Sequence, residues 1–85
     1  MILILTPRFK RDYKKLPQNI QKQTDRKLGI LEEDIFYPSL RVERVKKYSD
    51  IFEGSVTMKY RFFFRIKTGA YILLRIGKHD MLKKR

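Results

Sequence analysis

The stretch "LRIGKHD" holds the chain's only histidine, His79, four positions after Arg75 and directly after Lys78. Imidazole is the side chain that ordinarily titrates near neutrality, so it can donate or accept a proton in a reaction at physiological pH. Guanidinium groups supply a permanent positive charge with paired donors that match phosphate. Arg61 and Arg65 stand among the aromatic residues of "YRFFFRI". Arginines and rings on one strand face make a surface for RNA, since the cations bind phosphate and the flat groups stack on unpaired bases. On residue types alone, His79 is either a proton-transfer group or an ordinary surface side chain. Asp80 stands next to it, but adjacent side chains on a strand point apart. Other chemistries lack their residues. There is no cysteine and no second histidine to complete a zinc site. No glycine-rich phosphate loop, activated-serine motif or paired-carboxylate spacing stands out.

The charge balance points the same way. Twenty-one Lys and Arg against nine Asp and Glu give a net charge of +12. Residues 1–35 carry eight basic and five acidic groups, residues 36–85 thirteen and four. Repulsion on that scale costs a small domain stability, so the basic half calls for a polyanionic partner rather than for solubility alone. Lys46 and Lys47, and Lys78, Lys83, Lys84 and Arg85 near the end, widen the positive ground. Eighty-five residues form one domain, 1–85, near the lower limit for a core without disulfides. "MILILT" is too short for a signal-peptide core, and no run approaches the length of a membrane span, so a soluble cytoplasmic protein is expected.

The elements that must position these groups are read from hydrophobic periodicity. "ILIL" is a short strand, ended by Thr6 as N-cap and Pro7 as first helical residue. Phe9, Tyr13 and Leu16 fall on one helical face, and Pro17 separates this helix from a second. Ile20, Leu28, Leu31 and Ile35 mark the second helix to about residue 33, and "FYPSL" is a loop. From there the period shortens to two. "RVERV" and "IFEGSV" are strands, with Gly54 marking a bulge or a close approach. "YRFFFRI" and "AYILLRI" form a hairpin around "KTG". Strict alternation assigns Tyr60, Phe62, Phe64 and Ile66, with Ile72, Leu74 and Ile76, to a core under the helices. It leaves Arg61, Arg65 and Arg75 on the opposite face with Phe63, Tyr71 and Leu73. The predicted fold is α+β, two N-terminal helices packed on a small antiparallel sheet in the order β-α-α-β-β-β-β.

"KKLP" after the first helix, "FEGSVTMKYRFFFRI" and "ILLRIGKHDML" together resemble the RelE/ParE superfamily of toxins from bacterial and archaeal toxin–antitoxin pairs. The resemblance spans nearly the whole chain, and the ending is similar to the YafQ-type branch. It implies a RelE-like fold and an mRNA interferase, a ribosome-dependent endoribonuclease that cuts messenger RNA and inhibits translation without a metal or other cofactor. It also implies a cognate protein antitoxin as partner, acidic where it binds, and no membrane. Carried over by position, Arg61 would stabilise the charged transition state, and Arg75 would match the arginine of R-x-G-x-H. His79 would act as acid to the leaving 5′-oxygen or as base toward the 2′-hydroxyl, with Arg65 and the lysines holding RNA or ribosome. The chain departs from the pattern at Phe52, Gly54 and Ser55, where related nucleases place lysines or a histidine. It departs again at Lys83, where an aromatic stacker often comes after the histidine. Glu43, Arg44, Lys46 and Glu53 are candidates for the missing acid–base group. Two other readings are inhibition of DNA gyrase in the manner of ParE and a nucleic-acid binder without catalysis.

Overall fold

Thr6 turns the chain from strand to helix. Its hydroxyl accepts a hydrogen bond from the Phe9 amide (3.2 Å), capping a helix that begins at Pro7. The computed structural model describes residues 1–82; Lys83, Lys84 and Arg85 lie outside the described residues. The elements are β1 (Ile2–Leu5), α1 (Pro7–Lys14), α2 (Gln18–Glu33), β2 (Glu43–Arg44), β3 (Ile51–Ser55), β4 (Tyr60–Lys67), β5 (Ala70–Lys78) and α3 (His79–Leu82). A 3-10 turn, Pro38–Leu40, sits between α2 and β2. Both α1 and α2 form where the apolar spacing places them. The "RVERV" strand contracts to the pair Glu43–Arg44, and α3 is an addition that the sequence reading did not anticipate.

The five strands form one sheet in the order β1-β5-β4-β3-β2. The expectation of an antiparallel sheet holds for β2 to β5 and fails for β1, which runs parallel to β5. The chain leaves β1 through the helix pair and re-enters at the far edge. It then meanders back, so the last strand arrives beside the first pointing the same way.

Strict alternation also fails along β5. Thr68 and Gly69 close the β4–β5 hairpin, with Gly69 in a left-handed conformation (φ 75°), so Lys67 pairs with Ala70 and Phe64 with Leu73. Phe63 nevertheless pairs with Arg75, which leaves Leu74 unopposed as a β-bulge. The extra residue reverses the facing. Tyr71 and Leu73, expected beside the arginines, are buried in the core together with Ile76, whereas Ile72 and Leu74 are half-buried. Ile66, expected in the core, is exposed at the end of β4.

Phe9, Leu28, Leu31, Phe62, Phe64, Leu73 and Ile76 form the centre of the core between helices and sheet. Phe64 lies 5.9 Å from Phe52, 5.7 Å from Phe62 and 5.6 Å from Tyr71 between ring centroids. Each such buried side chain contributes about 1.5–3 kcal/mol from water exclusion. Tyr13 donates to Asp25 (2.7 Å), joining α1 to α2, and this bond raises the Tyr13 phenol above its ordinary range.

Gly54 marks a close approach. It faces Phe62 across β3 and β4, and a Cβ there would lie 2.4 Å from the ring. Phe62 is fully buried and cannot swing aside. Gly54→Ala is therefore expected to lower stability by about 1–3 kcal/mol in urea unfolding. Gly29→Ala is the control. Its Cβ would meet no atom within 4 Å, and relief of helix-interior glycine is expected to stabilise by about 0.5–1 kcal/mol.

Candidate active site on the helix-free face

Opposed residues in an antiparallel pair share a sheet face. Glu43, Glu53, Phe63 and Arg75 are opposed in turn across β2, β3, β4 and β5, and Ser55, Arg61 and Gly77 form the next row. This face turns away from α1 and α2. At the end of β5 the chain folds back as α3, and buried Leu82 comes to rest over Gly77, in van der Waals range of any Cβ built there. The bulge at Leu74 creates these rows. A regular register from the same turn would oppose Arg61 to Ile76 and set Arg75 against the core residue Phe62.

Three side chains converge beside α3. The Nε of Arg61 lies 3.3 Å from Oε2 of Glu53, its diagonal neighbour across β3 and β4, and its Nη1 donates to the carbonyl of Thr57. The His79 Nε2 lies 3.7 Å from the same carboxylate oxygen. The backbone amide of His79 donates to the Lys59 carbonyl (2.7 Å), which fixes the start of α3 against the start of β4. Exposure grades across the cluster: the side chains of Glu53 and Arg61 are 11% and 15% exposed and that of His79 35%. A carboxylate so buried is held by its cation, and the imidazole forms the solvent-facing rim. The site can supply a base, a proton donor and a fixed positive charge within a few ångströms.

The structure thus brings His79 and Arg61 together, and of Glu43, Arg44, Lys46 and Glu53 it places only Glu53 within 4 Å of both. Glu43 and Arg44 form the short edge strand, and Lys46 lies in the turn after it. Asp80 is exposed, and the carboxylate nearest the imidazole is that of Glu53. Arg75 stands in the same row as Glu53, but its guanidinium binds Asp12 of α1, with Nε at 2.8 Å. Arg65 pairs with Asp50 (3.0 Å), both well exposed. Lys47 reaches over the Tyr48 ring, Lys46 is exposed beside it, and Lys78 is exposed opposite Tyr60. Of the rings expected among the arginines, only Phe63 stays on this face.

Asp12 went unrecognised in the sequence because it reads as one polar residue on an amphipathic helix. Glu53 carried a clearer signal, as the sole acid in the alternating run "IFEGSV". Among the described residues, no three or more His, Asp or Glu gather as a metal site would require, and no helix is long and apolar enough to cross a membrane.

Comparison with known proteins gives this geometry its relatives. No curated protein matches the sequence. Among solved structures, a metal-bound toxin from Helicobacter pylori superposes with a TM-score of 0.81 at 22% identity, covering 96% of this chain and 98% of that one. The RelB–RelE antitoxin–toxin complex from Methanococcus jannaschii gives 0.77 at 15% identity, with 93% of each chain covered. A YoeB/ParE toxin from Agrobacterium tumefaciens gives 0.77 at 16%, covering 93% and 99%. At these identities the likeness is one of fold. The family model for the ParE toxin of the type II toxin–antitoxin system parDE matches residues 3–83. A match over that span, on the fold these toxins share, makes the chain a member of the ParE toxin family of type II toxin–antitoxin systems, within the RelE/ParE superfamily.

Proposed function

We propose that this toxin is a ribosome-dependent, metal-independent endoribonuclease that cleaves messenger RNA. The observation that carries the reading is the meeting of Glu53, Arg61 and His79 on the helix-free face. Cleavage by the RNA's own 2′-hydroxyl needs three things, and these groups supply them. The Glu53 carboxylate accepts the 2′-hydroxyl proton as the 2′-oxygen forms its bond to phosphorus. Arg61 faces the charge that gathers on the non-bridging oxygens. The bond from phosphorus to the 5′-oxygen breaks, and that oxygen takes the proton of the His79 imidazolium. The products are a 2′,3′-cyclic phosphate and a 5′-hydroxyl.

In the free protein Glu53 pairs with Arg61, the group that takes the substrate phosphate in this mechanism. A phosphodiester seated on Arg61 displaces the carboxylate and parts it from His79, leaving the two on either side of the scissile bond. The His79 side chain is 35% exposed, so the imidazole can turn to the substrate while its backbone stays bonded to Lys59. Arg65, Lys46, Lys47 and Lys78 hold the RNA or the ribosome around this centre, and their charge makes binding depend steeply on salt.

The partner that restrains such a toxin is a cognate antitoxin. The Methanococcus jannaschii relative was solved in complex with one, and the net charge of +12 suits an acidic binding segment. The toxin acts in the cytoplasm, where its substrate is translated. Two observations favour a second reading, inhibition of DNA gyrase by protein contact. Arg61 is largely buried and already neutralised by Glu53, and the matching family model is that of ParE.

Induced expression of the chain alone separates the two. The ribonuclease reading predicts arrest of translation, messenger RNA cut within translated regions, and intact DNA. Broken DNA with intact messenger RNA would establish the gyrase reading instead.

A further inference from the structure

The β5 strand outruns its neighbour. Pairing with β1 ends at Leu5 and Leu73, so beyond the bulge the outer backbone edge of β5 has no strand beside it. Asp12 of α1 fills that place. Its Oδ2 accepts from the Ile76 amide (3.1 Å) and from Nε of Arg75 (2.8 Å), and its Oδ1 accepts a longer bond from Nη2 of Arg75 (3.4 Å). Arg8, one turn earlier on the helix, approaches Oδ1 at 3.8 Å. The Asp12 side chain is 11% exposed and that of Arg75 29%. One carboxylate thus satisfies an edge amide that would otherwise lack a strand partner, and it holds the guanidinium by two nitrogens.

We propose that Asp12 is a positioning residue for the Glu53–Arg61–His79 cluster, and that Arg75 acts through Asp12 rather than on the phosphate. The pair clamps the end of β5 to α1 three residues before His79. A clamp is needed here because the bulge interrupts the ladder and β4 alone flanks the strand beyond it. Catalytic geometry tolerates little movement: a displacement of 1 Å can cost about 10²-fold in rate. With the clamp closed, the strand end that carries His79 is held in place against α1. With it open, the strand end and α3 drift together. The effect on rate rests on the ribonuclease reading, whereas the clamp itself does not.

The test is a double-mutant cycle of Asp12→Ala and Arg75→Ala, read as kcat and KM for cleavage of ribosome-bound messenger RNA. Each single variant is expected to lose about 10-fold in kcat with KM within about twofold, and the double variant to be no worse than the poorer single. Arg75→Lys is expected to stay impaired, since a lysine keeps the charge but not the fork. Multiplying losses, or rescue by Arg75→Lys, would overturn the proposal and put Arg75 on the phosphate. Asp12→Asn provides a milder variant that keeps the shape. Hydrogen exchange supplies a readout independent of activity. The Ile76 amide is expected to lose about 10-fold or more of its protection in Asp12→Ala while the Phe62 and Phe64 amides keep theirs. Unchanged protection at Ile76 would refute the clamp. A wild-type protein without ribonuclease activity, together with this loss of protection in Asp12→Ala, would refute the enzymatic reading and leave the clamp standing.

Discussion

Replacing His79 with alanine is expected to lower cleavage of ribosome-bound messenger RNA by about 10²–10⁴-fold, the range for loss of a general acid. The chain contains no other histidine that could take over. The loss belongs to the transition state, where the 5′-oxygen departs with a proton, so kcat and kcat/KM should fall together. The fold should be nearly unaffected. The imidazole is partly exposed, and its position is fixed by a backbone bond to Lys59 that alanine retains. Glu53 keeps Arg61 as its partner. Unfolding should therefore shift by no more than about 0.5 kcal/mol. Wild-type cleavage rates in a folded His79→Ala protein would remove the histidine from the mechanism.

Replacing Arg61 with alanine should be damaging in two ways. Catalysis should fall by about 10²–10³-fold through loss of charge opposite the non-bridging oxygens. Stability should fall as well. Glu53 would be left as a carboxylate 11% exposed, without the guanidinium now 3.3 Å away and with only the more distant, more exposed His79 beside it. Breaking one side of a buried pair costs about 3–5 kcal/mol, and the slight exposure of both partners puts this case at the lower end. The double replacement Glu53→Leu with Arg61→Met removes both charges and fills the space. It should recover most of the lost stability and none of the activity. Urea unfolding of the single and double variants measures the coupling directly. A fully stable Arg61→Ala protein would mean that Glu53 does not depend on its cation.

The parts of this molecule legible in its sequence are those fixed by near neighbours. Thr6 and Pro7 announce the first helix, Pro17 divides the helices, and the alternation on either side of Thr68 and Gly69 announces the hairpin. The parts that were not legible depend on distant contacts. Nothing local says that β1 will lie parallel to β5, because the pairing is set by where the chain re-enters the sheet. Helix α3 has four residues, too few to display a period. The bulge is a different case, since its signal was present. A two-residue turn at Thr68 and Gly69 pairs Phe64 with Leu73, which cannot be reconciled with a core of Ile72, Leu74 and Ile76. An extra residue is required to bury both Phe62 and Ile76, although no glycine or proline marks the spot. The same holds for the site. His79 and Arg61 stood out by type and by family resemblance, whereas choosing Glu53 required the cross-strand register and finding Asp12 required the open edge of β5.

The most direct test of the ribonuclease mechanism is the chemistry of the cut ends. Purified toxin is incubated with programmed ribosomes, and the termini of the messenger RNA fragments are identified. Attack by the 2′-hydroxyl predicts a 5′-hydroxyl on one fragment and a 2′,3′-cyclic phosphate, or the 3′-phosphate it hydrolyses to, on the other. Neither should form with His79→Ala. Fragments ending in 5′-phosphate and 3′-hydroxyl, or messenger RNA left intact by the folded wild-type protein, would contradict it.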